Sequence, residues 1–371
     1  MLALEILWDR IAGCLHGLLI GNAIGSPVEG WTAAQIEAEF GQLEQMTEVA
    51  GRHWRPRGLH TDDGQQALAV LDAICMDPEH PEQRFAELMV ELRDAAPQRS
   101  GRWGLHRGVS KDFRHTVRGM QASGLDKPCA HATPSASSGA ATRIAPAALW
   151  WRDDSRLLNQ RVVQLSAVTH SDMRGIMGAQ ALAAAISQSM VVRSPPVLTQ
   201  RLVEAVEAGE RQAARQLGIP VDHRFSRLVA GLVEQRRAAY HLQDLLTGIE
   251  ERARAIAEPT EHVDATSPFA PCSVLSALAI VDFSSSFADA VITAINLGGD
   301  TDANGAMVGA LAGARWGLSM VPSEWLDDLR ATGSLLERIE RLVDNETGAC
   351  QPDLLALELQ WDSLYDDRSW S

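Results

Sequence analysis

Two short acidic motifs, about 240 residues apart, are the parts of this chain whose residue types could do chemistry. The first is HTDD at residues 60–63, which contains Thr61, Asp62 and Asp63; the second is GGDTD at residues 298–302, which contains Asp300 and Asp302. Four carboxylates and a hydroxyl brought together would form an oxygen-only site, and such a site suits Mg²⁺ or Mn²⁺ better than Zn²⁺.

Each motif taken alone also has a purely structural interpretation. Thr61 and Thr301 could be helix N-caps, with the neighbouring aspartates stabilised by the positive end of each helix. Two acidic clusters, each followed by an apolar helix rich in small residues, are unusual for capping alone. The pair therefore favours a shared metal site over two independent caps.

Glycine spacing predicts which helices carry the two motifs towards each other. The segment 5–25 has a glycine at every fourth position (13, 17, 21 and 25), and the segment 304–317 repeats the pattern at 305, 309 and 313. Glycine in a helix interior costs about 1 kcal/mol, so a stripe of it needs a compensating reason. We predict that these two helices lie at the centre of the molecule and that their backbones approach closely.

The rest of the chain has a helical apolar period and few alternating, β-branched runs. Further helices are predicted at 63–76, 82–95, 156–169, 174–192, 198–216, 226–237, 241–257, 271–281, 285–296 and 323–343. The polar stretches 97–118 and 128–143 are expected to be long loops of the kind that bind ligands. No linker divides the chain, so a single domain over 1–371 is predicted. The segment 205–268 has no recognisable motif, the segment 345–371 is less typical, and the role of the tail after Gln351 is not predicted.

Composition restricts the function class and the cellular compartment. A net charge of −15 argues against non-specific nucleic-acid binding, which needs a basic surface. Five scattered cysteines without a CxxC pair suit a reducing cytoplasm and provide no zinc site. The acidic start MLALEILWDR is unlike a signal peptide, and the apolar run 11–28, interrupted by His16 and Asn22, is expected to be too short to span a membrane.

Five segments within residues 12–317 carry a further signal: GCLHGLLIGNAIGSPVEGW, TDDGQQALAV, SSGAATRIAP, VTHSDM and GGDTDANGAMVGALAG. Together, and in this order, they resemble the ADP-ribosylglycohydrolase family. The resemblance implies an all-α, compact orthogonal multi-helix bundle with a central metal-binding cleft. It also implies a cofactor of two Mg²⁺ ions, with Mn²⁺ as the alternative, and hydrolysis of the glycosidic bond that joins ADP-ribose to an acceptor, commonly arginine.

The resemblance assigns metal ligation to Thr61, Asp62, Asp63, Asp300 and Asp302. Asp62 and Asp302 would bridge a first ion, held with Thr61 and Asp63, and a second ion, held with Asp300. Both bridging residues are therefore also candidate catalytic residues.

Glu29, in the segment SPVEG, is the third candidate catalytic residue, because the resemblance places it near the metal and the substrate ribose. There it would position or deprotonate water; the alternative is a loop acid satisfied by local N–H groups.

Four candidates for substrate binding follow from the SSGAATR and VTHSDM segments. Ser138, Gly139 and Arg143 would lie along the diphosphate and the ribose, where a guanidinium fork suits phosphate; a surface salt bridge is the alternative for Arg143. His170 would lie at the edge of the cleft, or else be a structural helix-cap histidine.

Three departures from the family pattern affect the expected substrate more than the chemistry. Ala303 replaces a threonine ligand of the second metal, Ser138 replaces an asparagine that contacts the ligand, and Asn22 replaces an acid. Water can complete a Mg²⁺ shell, so the second ion is expected to bind more weakly rather than be lost.

The sequence thus predicts a cytoplasmic, Mg²⁺-dependent hydrolase whose partner is an ADP-ribosylated protein or an ADP-ribose-containing small molecule, with ADP-ribosylarginine as the first substrate to test. One alternative is a hydrolase of another ADP-ribose conjugate or a nucleotide-like N-riboside metabolite. Another is a non-catalytic protein that binds ADP-ribose or a partner. No membrane partner is expected, and the oligomeric state is left open.

Overall fold

The computed structural model describes residues 4–49, 56–99, 102–191 and 196–366. Residue 192 of the predicted helix 174–192, residues 100–101 of the predicted loop 97–118 and residues 367–371 of the tail lie outside these ranges. Within them the chain is almost entirely α-helical, and the strands form a single two-stranded antiparallel hairpin. The all-α fold class is confirmed.

The first half of the chain forms nine helices and the hairpin. Their bounds are α1 (Leu4–Gly25), α2 (Ala33–Phe40), α3 (Asp62–Met76), α4 (Pro81–Asp94), β1 (Arg102–Trp103), β2 (His106–Arg107), α5 (Lys111–Ser123), α6 (Gly139–Thr142), α7 (Ala145–Trp150), α8 (Ser155–Ala167) and α9 (Met173–Ser189).

The second half continues with nine more helices. Their bounds are α10 (Gln200–Leu217), α11 (Arg224–Arg236), α12 (Leu242–Arg254), α13 (Ala270–Phe283), α14 (Phe287–Asn296), α15 (Thr301–Trp316), α16 (Ser323–Asp328), α17 (Leu336–Asp344) and α18 (Leu354–Asp366). The segment 205–268, which has no recognisable motif, therefore folds mainly as α10, α11 and α12.

Helices α1 and α15 pack antiparallel at the centre through their glycines, as the spacing predicted. A Cβ on Gly13 would lie 2.6 Å from the carbonyl oxygen of Gly313, and Cβ atoms on Gly17 or Gly21 would overlap the carbonyls of Gly309 and Gly305. Contact between backbones leaves no room for any side chain. The C-terminal end of α1 is thereby held beside the N-terminal end of α15.

The segment Leu4–Val28 is long and apolar enough to cross a membrane. It is longer than the apolar run 11–28, which was expected to be too short. Its apolar window is completely buried inside the protein. This burial is what the central helix of a folded domain shows.

Three other expectations about the elements are wrong in detail. Part of the predicted loop 97–118 is helical, because Ser110 accepts a hydrogen bond from the N–H of Phe113 and caps α5 (3.2 Å). The predicted helix 323–343 is interrupted, since α16 ends at Asp328 and a 3₁₀ turn at Thr332–Ser334 precedes α17. The end of the predicted loop 128–143 is also helical, as α6, and helices α2, α7 and α18 were not predicted.

Candidate active site

A cleft of about 240 Å³ opens where α1 ends and where α3 and α15 begin. It takes residues from widely separated parts of the chain, including every predicted site residue except Thr61. The lining residues are Glu29, Asp62, Asp63, Gln66, Gly108, Ser110, Asp112, Phe113, Thr133, Ser135, Ser137, Ser138, Gly139, Arg143, Thr169, His170, Pro268, Asp300, Asp302 and Ala303.

The wall formed by α1 and α15 is positioned by backbone contacts. After α1, a 3₁₀ turn at Ser26–Val28 delivers Glu29 to the cleft. Beyond it, the Gly30 N–H donates to the Gly299 carbonyl (2.8 Å), and the Gly299 N–H donates to the Trp31 carbonyl (2.8 Å). These bonds fix Glu29 next to the GGDTD motif.

The start of α3 is joined to this wall by side chains. Asn22 of α1 is fully buried; its Oδ1 accepts from the Thr61 N–H (2.6 Å), and its Nδ2 donates to the Asp302 carbonyl (3.2 Å). The Thr61 hydroxyl donates to Asp302 Oδ2 (3.1 Å). Thr61 occupies the N-cap position of α3, but its side chain accepts no capping bond from the helix. The Thr61 side chain therefore connects α3 to α15 instead of capping α3.

Thr301 also differs from the capping interpretation. It is the first residue of α15 rather than its cap, which is Asp300. Its hydroxyl donates to the carbonyl of Gly25 (2.8 Å) and is buried in the α1–α15 contact.

Neutral side chains orient the two carboxylates of α3. Gln66, one turn after Asp62, donates from Nε2 to Asp62 Oδ2 (3.1 Å). The Thr142 hydroxyl donates to Asp63 Oδ1 (2.8 Å). Both aspartates are half-buried on the cleft wall, where their carboxylates can meet a ligand.

The residues present fit a hard divalent cation. Among the described residues, Glu29, Asp300 and Asp302 each offer one carboxylate oxygen, and these oxygens lie within 4.8 Å of one another. Oxygen donors from carboxylates are the preferred ligands of Mg²⁺ and Mn²⁺. The positive ends of α3 and α15 further stabilise the negative charge collected here.

This triplet differs from the ligand sets that the sequence suggested. It includes Glu29, which was expected to act on water, and it contains neither Asp62 nor Asp63. Those two aspartates line the same cleft from the opposite helix. The division of the ligands between two ions stays a prediction.

Arg143 lies beneath the cleft and is almost completely buried. Its Nη1 donates to Gln66 Oε1 (2.8 Å) and the Gly139 carbonyl (3.2 Å), and its Nη2 donates to Thr169 Oγ1 (2.5 Å). Burial lowers its pKa to about 9, although Asp63 and Asp62 act in the opposite direction. The predicted diphosphate contact stays a prediction, while these bonds favour a role in holding Gln66 and α6.

His170 also lines the cleft. Its Nε2 pairs with the Ser137 hydroxyl (3.0 Å) and its Nδ1 with the Thr169 hydroxyl (2.7 Å). Burial, followed by the nearby charge of Arg143, lowers its pKa to about 3, so the ring is neutral at physiological pH. His170 precedes Asp172, which is the residue that caps α9.

Hydroxyl groups dominate the wall around His170. Ser138 is buried at the start of α6, its N–H donates to the Pro268 carbonyl (2.8 Å), and Gly139 follows it on the cleft surface. Ser135 and Ser137 also face the cleft. Such a wall offers hydrogen bonds to phosphate or ribose oxygens without adding positive charge.

The segment from Gly108 to Phe113 lies inside the stretch 97–118 that was expected to bind ligands, and it lines the cleft, but none of its residues was named as a candidate. Its signal was present in the sequence, because Ser110 followed by a helical period of apolar residues is typical of a capped helix start. Gln66 was also missed, although its spacing of four residues from Asp62 places both side chains on one helix face.

Comparison with known proteins identifies the family of this chain. The profile of the ADP-ribosylglycohydrolase family matches residues 3–353. The chain belongs to the ADP-ribosylglycohydrolase family.

Individual relatives are distant but match over most of their length. The chain is 27% identical to ADP-ribosylhydrolase ARH3 of Gallus gallus, over 85% of this chain and 88% of the relative. It is 24% identical to ADP-ribosylarginine hydrolase Tri1 of Pseudomonas putida, over 94% and 81%. A solved structure described as an ADP-ribosylglycohydrolase-related protein complex superposes with a TM-score of 0.62 at 23% identity, covering 92% of this chain and 99% of that one.

Membership of this family makes the protein an enzyme that hydrolyses glycosidic bonds of ADP-ribose conjugates. The family assignment favours hydrolysis over the binding-only alternative. The acidic cluster of Glu29, Asp300 and Asp302 matches the use of a divalent metal in this family.

Proposed function

We propose that this ADP-ribosylglycohydrolase cleaves the N-glycosidic bond between ADP-ribose and arginine, and that it requires Mg²⁺. The observation that carries the proposal is the acidic cluster of Glu29, Asp300 and Asp302 at the end of the α1–α15 pair. One carboxylate oxygen of each residue lies within 4.8 Å of the other two. Two ions remain the proposed count, with Asp62 and Asp63 as further ligands. When bound, the metal would orient the ribose hydroxyls and increase the acidity of water.

The chain's own residues account for the other requirements of the reaction. Cleavage passes through an oxocarbenium-like transition state at the ribose carbon, and carboxylates around that carbon stabilise its positive charge. Glu29 is half-buried on the cleft wall, where its carboxylate can accept a proton from the attacking water. The hydroxyl wall of Ser135, Ser137 and Ser138 can hold the diphosphate and ribose oxygens.

Charge in the cleft supports arginine as the acceptor. Asp112 adds a further carboxylate to the lining, while Arg143 is bonded inside the protein and His170 is neutral. The bound ions would neutralise most of the charge of their ligands, whereas Asp112 is outside the proposed ligand set, so its carboxylate can pair with a cationic guanidinium. The relative from Pseudomonas putida is named for ADP-ribosylarginine, which supports the same substrate.

A second candidate keeps the reaction and changes the acceptor to another ADP-ribose conjugate or a nucleotide-like riboside. Ala303 lines the cleft where family members carry a threonine, and Ser138 replaces an asparagine. These changes alter the groups offered to a ligand without removing a carboxylate.

We also propose that the protein acts in the cytoplasm. All five cysteines are unpaired in the structure, which is typical of proteins from a reducing compartment.

The test is release of free ADP-ribose from an ADP-ribosylated arginine peptide and from a panel of serine-, nucleic-acid- and small-molecule conjugates. We expect release from the arginine peptide with Mg²⁺, none after chelation, and none from Asp302→Ala. Asp126→Ala, at an exposed position outside the cleft, is the control and should retain full activity. Release from another conjugate alone would select the second candidate, and activity in chelator would contradict the metal requirement.

A further inference from the structure

The last described helix, α18, reaches the acidic start of α3 from outside the part of the chain that matches the family. The family profile ends at residue 353, and α18 begins at Leu354. Glu358 on this helix is completely buried. A buried carboxylate needs a specific partner, because an unpaired charge away from water is very unfavourable.

The closest partner of Glu358 is Arg107 on β2, and His60 Nε2 lies farther away, 3.6 Å from Glu358 Oε1. Arg107 Nη2 donates to Glu358 Oε1 (2.9 Å), and Nη1 forms a second, short bond to Oε2. Burial alone would raise the pKa of Glu358, but Arg107 and then His60 lower it to about 2, so the carboxylate remains charged. The pair is a bidentate, charge-assisted contact of the kind that fixes a guanidinium plane.

Arg107 in turn holds the backbone immediately before the acidic motif. Its Nε donates to the His60 carbonyl (3.2 Å). The next N–H along the chain, that of Thr61, donates to Asn22 Oδ1 (2.6 Å). The peptide group between His60 and Thr61 is thus fixed on its carbonyl side by Arg107 and on its N–H side by Asn22.

The orientation of this peptide sets the direction in which the motif enters the cleft. Thr61 is bonded to Asp302, and Asp62 follows directly as the first residue of α3. The same arginine precedes Gly108, which lines the cleft. One ion pair therefore supports two parts of the cleft wall.

We propose that Glu358 is a positioning residue of the metal site, acting through Arg107 on the His60–Thr61 peptide. The inference rests on the proposed function only in requiring that the cleft bind a divalent cation. Glu358 touches neither metal nor substrate; it restrains the groups that aim Thr61 and Asp62.

The test is Mn²⁺ binding in the absence of substrate, measured from the electron paramagnetic resonance signal of free Mn²⁺. We expect Glu358→Gln to raise the Mn²⁺ dissociation constant about tenfold, because partners behind metal ligands typically change affinity by about 10- to 100-fold. The substitution preserves size and removes the charge that fixes both Nη groups of Arg107. The variant should remain folded by circular dichroism at the temperature of the titration.

Asp362→Asn is the matched control. Asp362 lies one turn after Glu358 on α18 and pairs with Arg102 of the same hairpin. The Asp362→Asn substitution removes one negative charge from the same helix and leaves the hydrogen bond from Arg107 to the His60 carbonyl in place. We expect the Mn²⁺ dissociation constant of this variant to stay within about twofold of wild type, since Asp362 pairs with Arg102 and Arg99 rather than with Arg107.

Equal weakening in both variants, or no weakening in folded Glu358→Gln, would overturn the positioning role. If Glu358→Gln does not fold, Arg107→Lys decides the question, because lysine keeps the charge opposite Glu358 but lacks the fork that reaches the His60 carbonyl. Unchanged Mn²⁺ binding in Arg107→Lys would then overturn the inference. Absence of Mn²⁺ binding to the wild-type chain would instead refute the proposed metal site, and the inference with it.

Discussion

The two acidic helix starts face the same cleft but are held in different ways. The start of α15 is fixed by main-chain contacts, through the glycines of α1 and the hydrogen bonds between Gly299, Gly30 and Trp31. The start of α3 is fixed by side chains, chiefly Asn22 and Arg107. The wall formed by α1 and α15 tolerates no added atom where the two backbones meet. The wall formed by the start of α3 depends on individual hydrogen-bond donors and acceptors.

Substitutions at the two helix starts should therefore have different effects. Changes in the α1–α15 contact should affect folding of the whole domain, since a packed backbone cannot move aside. Changes around α3 should mainly affect how the carboxylates are aimed, because one hydrogen bond typically contributes about 1 kcal/mol. The chain can therefore adjust its metal affinity on the α3 side without altering its central helix pair.

The largest effect is expected from Gly309→Ala. A Cβ at this position would overlap the carbonyl of Gly17. Alanine favours a helix over glycine by about 1 kcal/mol, so any destabilisation must come from the contact with α1. We expect a loss of about 3 kcal/mol or more in the free energy of unfolding, measured by urea denaturation.

Gly209→Ala is the control for that experiment. Gly209 also lies inside a helix, but its added Cβ would face the side chain of Gln180 at 3.1 Å rather than a backbone. We expect a change within about 1 kcal/mol. Similar stabilities for the two variants would show that the central contact can yield, and would remove the distinction between the two walls.

An intermediate effect is expected from Asn22→Ala. The substitution removes the acceptor of the Thr61 N–H and the donor to the Asp302 carbonyl. We expect the Mn²⁺ dissociation constant to rise about tenfold, with a loss of about 1–3 kcal/mol in stability from the buried groups left unpaired. Unchanged Mn²⁺ affinity would mean that the main-chain wall alone defines the site.

Asn22→Asp sharpens the same prediction. Aspartate keeps the oxygen that accepts from Thr61 and loses the Nδ2 donor, and it restores the acid that the resemblance to the family implies at this position. We expect its Mn²⁺ affinity to exceed that of Asn22→Ala. The same titration measures both variants, and equal weakening would show that the Nδ2 bond to Asp302 is the important one.

The smallest effect is expected from Thr142→Val. Valine has the shape of threonine and lacks the hydroxyl that donates to Asp63 Oδ1 (2.8 Å). Loss of this bond should weaken Mn²⁺ binding about fivefold, equivalent to about 1 kcal/mol, with little change in melting temperature. A large fall in melting temperature would show that the bond supports the fold rather than the orientation of Asp63.

Local spacing was enough to predict the central helix pair and the two motifs that enter the cleft. The glycines of α1 and α15 signal their contact because no other common residue permits it. In contrast, helix α18 could not be placed, since its decisive contact joins Glu358 to Arg107 across 251 positions of the chain. Sequence spacing carries no information about such a pair.

The contacts within the site also divide into those that sequence spacing could predict and those that it could not. The helical period places Gln66 beside Asp62, so this contact was accessible from sequence. The burial of Arg143 was not, because its acceptors include the hydroxyl of Thr169 on a later segment. The resemblance to the family placed Glu29 near the metal, but its direct membership of a carboxylate triplet with Asp300 and Asp302 depends on how α1 and α15 align in space.

The pairing of α1 with α15 also has a consequence for biosynthesis. The first helix leaves the ribosome long before its partner, which begins at Thr301. At a synthesis rate of about 5–20 residues per second, the apolar N-terminal segment waits about 15–60 s for α15 to be made. During that interval its apolar surface lacks its final contact, so nascent chains of this protein should be clients of chaperones that shield exposed hydrophobic segments.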